Sequence, residues 1–253
     1  MIATLNQARK FSTALESYRP PVVDRPQVSK ERRNKVIRPN EFNVIMQHLC
    51  QPRQLGETAA FAEIRLMTAD QLQFQLLTAS RPGEVARLTR GDVDLFGNTV
   101  RIRHTKTDKA ADTTSHLPIT PTMAKILQRR FAKAEGDYLF TPHGQITPAM
   151  RRALKEACEA NNIKYGRSEY DGVIFHTARH TATTDLEQGG VSLKTIGAYT
   201  GHSDETMTMY YAHPEQSSLD KAGAILEEKR GGDFIENEGF SDAECEKVPS
   251  ILN

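Results

Sequence analysis

The sequence predicts an α+β fold, mainly helical, with a small antiparallel three-stranded sheet set early in a helical body. Three observations predict it. Apolar residues recur at helical spacing through most of residues 37–228. One region only, residues 93–119, breaks that rhythm with short strand-like runs around the turn Gly97-Asn98. The 253 residues suffice for one substantial core with loosely tied ends.

The elements follow in chain order. Leu5, Ala8, Phe11 and Leu15 predict a helix over residues 5–18, ended by Arg19-Pro20-Pro21. Residues 19–36 are rich in Pro, Arg and Lys without periodicity and read as an exposed connector. The body starts at Ile37, where Pro39-Asn40-Glu41 opens a helix through Leu49. A longer helical region runs from Glu57 to Thr78, with a break expected near Thr68. Val93-Asp94-Leu95, Thr99–His104 and Leu117-Pro118-Ile119 read as the three strands. Helices are then expected at Pro121–Lys133, Pro148–Ala160, Ala178–Glu187, Leu193–Tyr199, Glu205–Tyr211 and Leu219–Glu228. Past Gly231-Gly232 the chain is acidic and weakly patterned, which predicts a disordered tail over 229–253. The domain reading is therefore 1–36, 37–228 and 229–253.

The total charge of +1 hides an asymmetry. Residues 219–253 hold four basic and nine acidic residues, so the chain before them carries a net +6, which suits a polyanionic ligand. A surplus of that size is also common among soluble domains. Cys50, Cys158 and Cys245 are widely spaced and form neither a disulfide framework nor a thiolate metal site. With no apolar run of membrane-spanning length and no hydrophobic secretion signal, the expectation is a cytoplasmic, nucleoid-associated protein.

Phosphate-competent side chains crowd the C-terminal third: His176, Arg179, His180, His202, Tyr210, Tyr211 and His213. His176 and His180 have a zinc-compatible spacing, but the glutamate of H-E-x-x-H is missing and Arg179 would repel a cation, so no metal is expected. Neither a G-x-S-x-G serine nor a phosphate-binding G-x-x-x-x-G-K-[ST] loop is present. The remaining set of arginines, lysine, histidines and tyrosine suits metal-free transesterification of a phosphodiester. Guanidinium forks meet two nonbridging oxygens at once, a lysine or histidine protonates the leaving oxygen, and nearby cations favour a nucleophilic phenolate.

Five segments carry a resemblance. The run Thr78-Ala79-Ser80-Arg81-Pro82-Gly83-Glu84-Val85-Ala86-Arg87-Leu88 with Gly91-Asp92-Val93-Asp94 resembles the first arginine box of the tyrosine recombinase (phage integrase) family. His104-Thr105-Lys106-Thr107 resembles its β-hairpin lysine, Phe175-His176-Thr177-Ala178-Arg179-His180 its H-x-x-R box, and Thr200-Gly201-His202-Ser203 its glycine-histidine box. Met207-Thr208-Met209-Tyr210-Tyr211-Ala212-His213 is similar to the segment that ends in the nucleophile. The resemblance covers residues 37–226, and its order and spacing make chance an unattractive explanation.

The resemblance implies a recombinase catalytic domain that cleaves and rejoins DNA through a 3′-phosphotyrosyl intermediate, without a cofactor. Its implied catalytic residues are Arg81, Lys106, His176, Arg179, His202 and Tyr211, with Arg103 and Lys109 contacting DNA. Glu84 orients a basic neighbour or supports the fold. Taken singly, Arg81 reads as a surface salt-bridge residue, Lys106 as an exposed hairpin lysine, and His176 and His202 as packed or capping histidines. Tyr210 competes with Tyr211, since adjacent helical residues point about 100° apart; the spacing to His213 selects Tyr211. Implied partners are duplex DNA with paired sites, further copies of the chain (a tetramer on two sites) and DNA-bending accessory proteins. The helix near Leu219–Leu226 would pack on a neighbouring protomer, as in relatives, or fold back on its own chain.

Two departures, Ala178 and Thr200 where leucine is usual, fall at core positions. A third lies at the N-terminus, where relatives carry a helical core-binding domain and only 36 residues precede this body. The expectation is a fragment, a clamp supplied differently, or a clamp reduced to the helix near Phe11. Two other functions fit the same residues: a type IB topoisomerase-like relaxing enzyme, and a DNA-binding regulator with this fold and no activity.

Overall fold

The chain divides into two units, Met1–Arg32 and Arg33–Asn253. The computed structural model describes residues 35–104, 113–134, 136–201 and 216–231, all in the second. The expected helices at 5–18 and Glu205–Tyr211, the connector to residue 34 and the acidic tail beyond 231 lie outside the described residues.

Helix α1 (Pro39–Leu49) opens with Pro39 at its first position, and the Glu41 carboxylate accepts from the Arg38 backbone N–H at 2.8 Å. Helix α2 (Ala59–Thr78) is the axis of the body. Thr58 caps it by accepting from the Phe61 N–H at 3.2 Å. The break expected near Thr68 does not occur. The Thr68 hydroxyl turns back and donates to the Ile64 carbonyl at 2.7 Å, so a β-branched polar residue is accommodated inside one continuous helix.

The C-terminal two thirds of α2 are buried on every face, which is why its sequence shows no clear amphipathic period. One side packs with α1 and α5 (Pro148–Glu159) around Leu66, Leu72, Leu76, Met150 and Leu154. The other side enters a second cluster in which Phe74 and Phe140 meet with ring centroids 4.8 Å apart. That cluster also takes in the sheet, α4 (Pro121–Lys133) and α7 (Leu193–Thr200).

The sheet has the expected three strands in the order β1 (Val93–Asp94), β2 (Thr99–His104), β3 (Thr113–Pro118), antiparallel throughout. β3 begins four residues earlier than its apolar end predicts. Thr113-Thr114-Ser115-His116 carries no alternating pattern and is held in register by the full length of β2, from His104↔Thr113 to Thr99↔Pro118.

Helix α6 (Phe175–Gln188) starts three residues before the expected Ala178. Ile174 is an unusual cap residue with no side-chain acceptor; the Thr177 hydroxyl instead takes the Ile174 N–H at 3.0 Å, and the Thr177 N–H meets the Ile174 carbonyl at 2.9 Å. His176, Arg179 and His180 are consequently all helical.

Helix α8 (Gln216–Arg230) docks on its own chain through Ala222 and Leu226. Glu227 accepts from the Thr122 N–H at 3.0 Å and from the hydroxyls of Thr120 and Thr122, capping α4 from a distance. Arg230 closes the contact with Asp185 at 2.6 Å and the Ile37 carbonyl at 3.0 Å. The fold-back arrangement is thus the one this single chain adopts.

No helix among the described residues is long and apolar enough to cross a membrane. The chain instead buries charge. Asp70, fully buried on α2, pairs with Arg129 and with Arg130 at 2.8 Å, and Arg130 reaches Glu63 at 3.0 Å. Removing Asp70 leaves the Arg130 guanidinium, which is 1 % exposed, with Glu63 as its remaining carboxylate. Asp70→Asn should therefore lower unfolding stability by about 3–5 kcal/mol in urea denaturation, whereas exposed Lys155→Gln should change it by less than about 0.5 kcal/mol.

Candidate functional site

The site is built where α2 ends. Ala79 leaves the helix in the left-handed region, at φ 50° and ψ 23°, a conformation that costs a non-glycine residue about 1–2 kcal/mol. The reversal sends Ser80-Arg81 straight into the short helix α3 (Pro82–Ala86), with Arg81 as cap residue and Pro82 at the first position. Glu84, three residues on, accepts from the Arg81 backbone N–H at 2.7 Å through one carboxylate oxygen and from Arg81 Nη1 at 2.7 Å through the other. One side chain therefore fixes both the backbone and the guanidinium of Arg81.

Arg179 approaches from α6, one turn after His176. Its Nη1 donates to the Ala79 carbonyl at 3.2 Å and lies 3.8 Å from Glu84 Oε2. Its side chain is 4 % exposed, against 31 % for Arg81. Arg179 Nη2 is buried with no hydrogen-bond partner among the described residues. Burial, reinforced by Arg81, pulls the Arg179 guanidinium down to about 10, where it still carries its charge at neutral pH. Two guanidiniums share one buried carboxylate, and the pair keeps a net positive charge with unused donors. This is the electrostatic specification of an anion site.

His176 completes the group. Burial first, then His180, Arg179, Arg81 and Arg167, push it down to about 4, so the free protein holds a neutral imidazole there. His180 stands edge-on to it with ring centroids 5.1 Å apart and is itself pulled down by burial and Arg179.

Arg81 and His176 border a cleft of about 550 Å³, which Arg87, Arg151 and Arg167 also line, and no carboxylate is among its lining residues. Gly144 lets the loop before α5 close over this cleft. It sits at φ +66°, and a Cβ there would stand 3.0 Å from the Tyr138 ring and 3.1 Å from the Arg87 side chain. Sequence reasoning gave these three arginines no role because they stand in different segments; only the fold gathers them.

Arg103, on β2, lines a smaller cavity together with Glu84, Arg87, Asp92 and Arg101. It pairs with the buried Asp92, which also takes Arg101 at 2.9 Å. Thr89 donates to the same carboxylate from its N–H at 3.0 Å and its hydroxyl at 2.7 Å. These bonds outweigh the burial and hold Asp92 below the ordinary carboxylate range. Both arginines remain about half exposed. Lys106, Lys109, His202, Tyr210, Tyr211 and His213 lie outside the described residues. Among the described residues no group of three or more His, Cys, Asp or Glu side chains comes together as a metal site.

The fold and site can be set beside known proteins. A probable integrase/recombinase protein of Methanocaldococcus jannaschii is 28% identical over 161 residues, 60% of this chain and 48% of its own. The integrase of Staphylococcus phage L54a is 28% identical over 177 residues, 59% of this chain and 48% of its own. The chain thus spans about half the length of the curated relatives it matches. Among solved structures, a lambda integrase dimer bound to a COC′ core site covers 84% of this chain, and 74% of that chain is covered, at 17% identity and a TM-score of 0.56. A Tn1549 transposon integrase in complex with transposon right end DNA aligns over 86% of this chain and 78% of its own, at 18% identity and a TM-score of 0.55. These likenesses establish the fold. Residues 35–218, which include Arg81, Glu84, His176 and Arg179, match the phage integrase family, and over that greater part of its length the chain belongs to it.

Proposed function

We propose that this protein is a site-specific DNA recombinase that cuts and rejoins strands through a 3′-phosphotyrosyl intermediate, in integration, excision or resolution of a mobile element or plasmid. The observation that carries the reading is the convergence of Arg81 and Arg179 on one buried carboxylate, with donors of Arg179 left open. Residues 37–228 form the catalytic domain in this reading.

In the reaction, Tyr211 as phenolate attacks the scissile phosphorus and the P–O5′ bond breaks. Lys106 delivers the proton that the departing 5′ oxygen needs. Arg81 and Arg179 hold the nonbridging oxygens as charge builds on them. His176, neutral before DNA arrives, donates an N–H to the phosphate or relays a proton, and His202 donates a second hydrogen bond. The 5′ hydroxyl of a partner duplex then gives its proton back to Lys106 and attacks the phosphotyrosine, and the Tyr211 phenolate leaves. A second round resolves the resulting junction. Arg87, Arg151 and Arg167 follow the flanking backbone, as do Arg103 and Lys109 on the sheet side. Strand exchange requires two paired sites and several copies of the chain, a tetramer in the simplest arrangement, with DNA-bending proteins as accessories. Such work belongs in the cytoplasm at the nucleoid.

A library of nicked duplexes with randomised cores tests this, because cleavage near the nick frees a short strand and traps the adduct. The wild-type chain should become covalently linked to DNA and Tyr211→Phe should not. Supercoil relaxation without strand exchange would favour a topoisomerase, and absence of any adduct would leave an inactive regulator. Arg179→Ala should slow adduct formation by about 10²–10³-fold while duplex affinity changes by less than about tenfold, as one lost phosphate contact among several requires.

The electrostatics of the site make a separate prediction. His176 binds its proton near 4 when folded and near the ordinary 6.5 when unfolded. Between those values the unfolded chain holds more protons, so stability falls as pH falls through the window. His176→Gln should flatten the decline in melting temperature from pH 6.5 to pH 4; slopes equal to wild type would contradict the burial of a neutral imidazole there.

A further inference from the structure

Helix α2 buries two glutamines one turn apart. Gln71 and Gln75 are both fully shielded, in a stretch where leucine would satisfy the packing and an amide carries a desolvation cost. Their hydrogen bonds are directed at the site. Gln75 Nε2 donates to the Ser80 carbonyl at 3.4 Å and to the Phe175 carbonyl at 3.3 Å. Gln71 Nε2 donates to the Pro82 carbonyl at 3.0 Å and lies 3.5 Å from Gln75 Oε1.

The three carbonyls have one property in common. Ser80 and Pro82 flank Arg81, and Phe175 immediately precedes His176. Ser80 stands between two helices, where its carbonyl belongs to neither ladder, and Gln75 supplies a donor for it. Phe175 opens the helix that carries Arg179 four residues later. The peptide units beneath the two phosphate-gripping arginines are therefore tied to each other through one buried amide pair on a third helix. Glu84 fixes the Arg81 guanidinium and its N–H; the glutamines hold the carbonyls on either side of Arg81 and at the start of α6.

We infer that Gln75, supported by Gln71, is a positioning residue that sets the separation of the Arg81 loop from the start of α6, and so the fit of Arg81 and Arg179 to one phosphate. This rests on the recombinase reading. Gln75 touches no reacting atom; it acts through the two arginines. A misplacement of about 1 Å in such a pair is enough to cost about 10²-fold in rate. Gln75→Leu keeps the volume and removes the tie.

The test is single-turnover adduct formation by the full chain at saturating DNA, on two nicked duplexes. One carries the normal scissile phosphate. The other carries a neutral methylphosphonate there, whose transition state has one negative charge fewer for the arginines to meet. On the phosphate duplex Gln75→Leu should be slower by about 10- to 100-fold, with DNA affinity within about threefold of wild type. On the methylphosphonate the two proteins should differ by less than about threefold, because the misplaced group has little left to do. A milder variant, Gln71→Leu, should show the same substrate-dependent pattern at reduced size, which covers the case that Gln75→Leu folds poorly. An unimpaired rate on the phosphate duplex, or equal losses on both duplexes, overturns the inference alone and leaves the amides as packing. Absence of any adduct from the wild-type chain overturns the recombinase reading and this inference with it.

Discussion

The site depends on one carboxylate shared unequally. Glu84 is buried, yet it does not neutralise what surrounds it: Arg81 lies against it at 2.7 Å, Arg179 stands off at 3.8 Å, and the sum remains positive. One carboxylate cannot occupy the five N–H donors that each guanidinium carries, so donors of both arginines remain for a ligand. Without it, two guanidiniums would face each other in a desolvated pocket with no counter-charge. The arrangement holds the cations in place and leaves the anion's position open. Burial is the first cause of the depressed protonation of His176, and the same imbalance adds to it, because an imidazolium would place a further positive charge in an already cationic cluster.

The rest of the fold supplies rigidity to that cluster by similar means. Asp70, Asp92 and Asp185 are each buried and each answered by arginine, and each ties two elements together: α2 to α4, the Thr89–Asp92 turn to β2, α6 to α8. Buried pairs of this kind contribute little net stability over an apolar core, but breaking one partner is expensive, so they fix which elements meet. Ala79 shows the cost of the geometry at the site itself. Its left-handed backbone is held by a buried methyl in the core and by the bond its carbonyl accepts from Arg179. The guanidinium proposed to grip the anion thus also stabilises the turn that places Arg81.

Much of this was legible in the sequence. The order of the longer helices and the three-stranded sheet follow from periodicity and turn residues, which are local signals; Arg81, His176 and Arg179 are singled out by the resemblance of their boxes. Glu84 was readable as the companion of a basic neighbour, and the structure shows it serving two. What escaped were effects with distant causes. Polar β3 takes its register from β2, the start of α6 from a threonine inside the helix rather than before it, and the unbroken α2 from a hydroxyl bonded back on its own turn. Arg87, Arg151 and Arg167 come together only through tertiary packing, and Gln71 and Gln75 look like surface residues until the helix is seen to be buried all round.

The central claim is that Arg81 and Arg179, held by Glu84, form a site for a phosphate group. Nuclear magnetic resonance of the His176 ring during titration with inorganic phosphate tests it without any knowledge of a recombination sequence. The account predicts a saturable shift of the His176 signals and a protonation midpoint that rises from about 4 as the bound anion offsets the surrounding positive charge, with neither effect in Arg179→Ala. A midpoint that stays near 4 in excess phosphate, with no saturable shift, would contradict it.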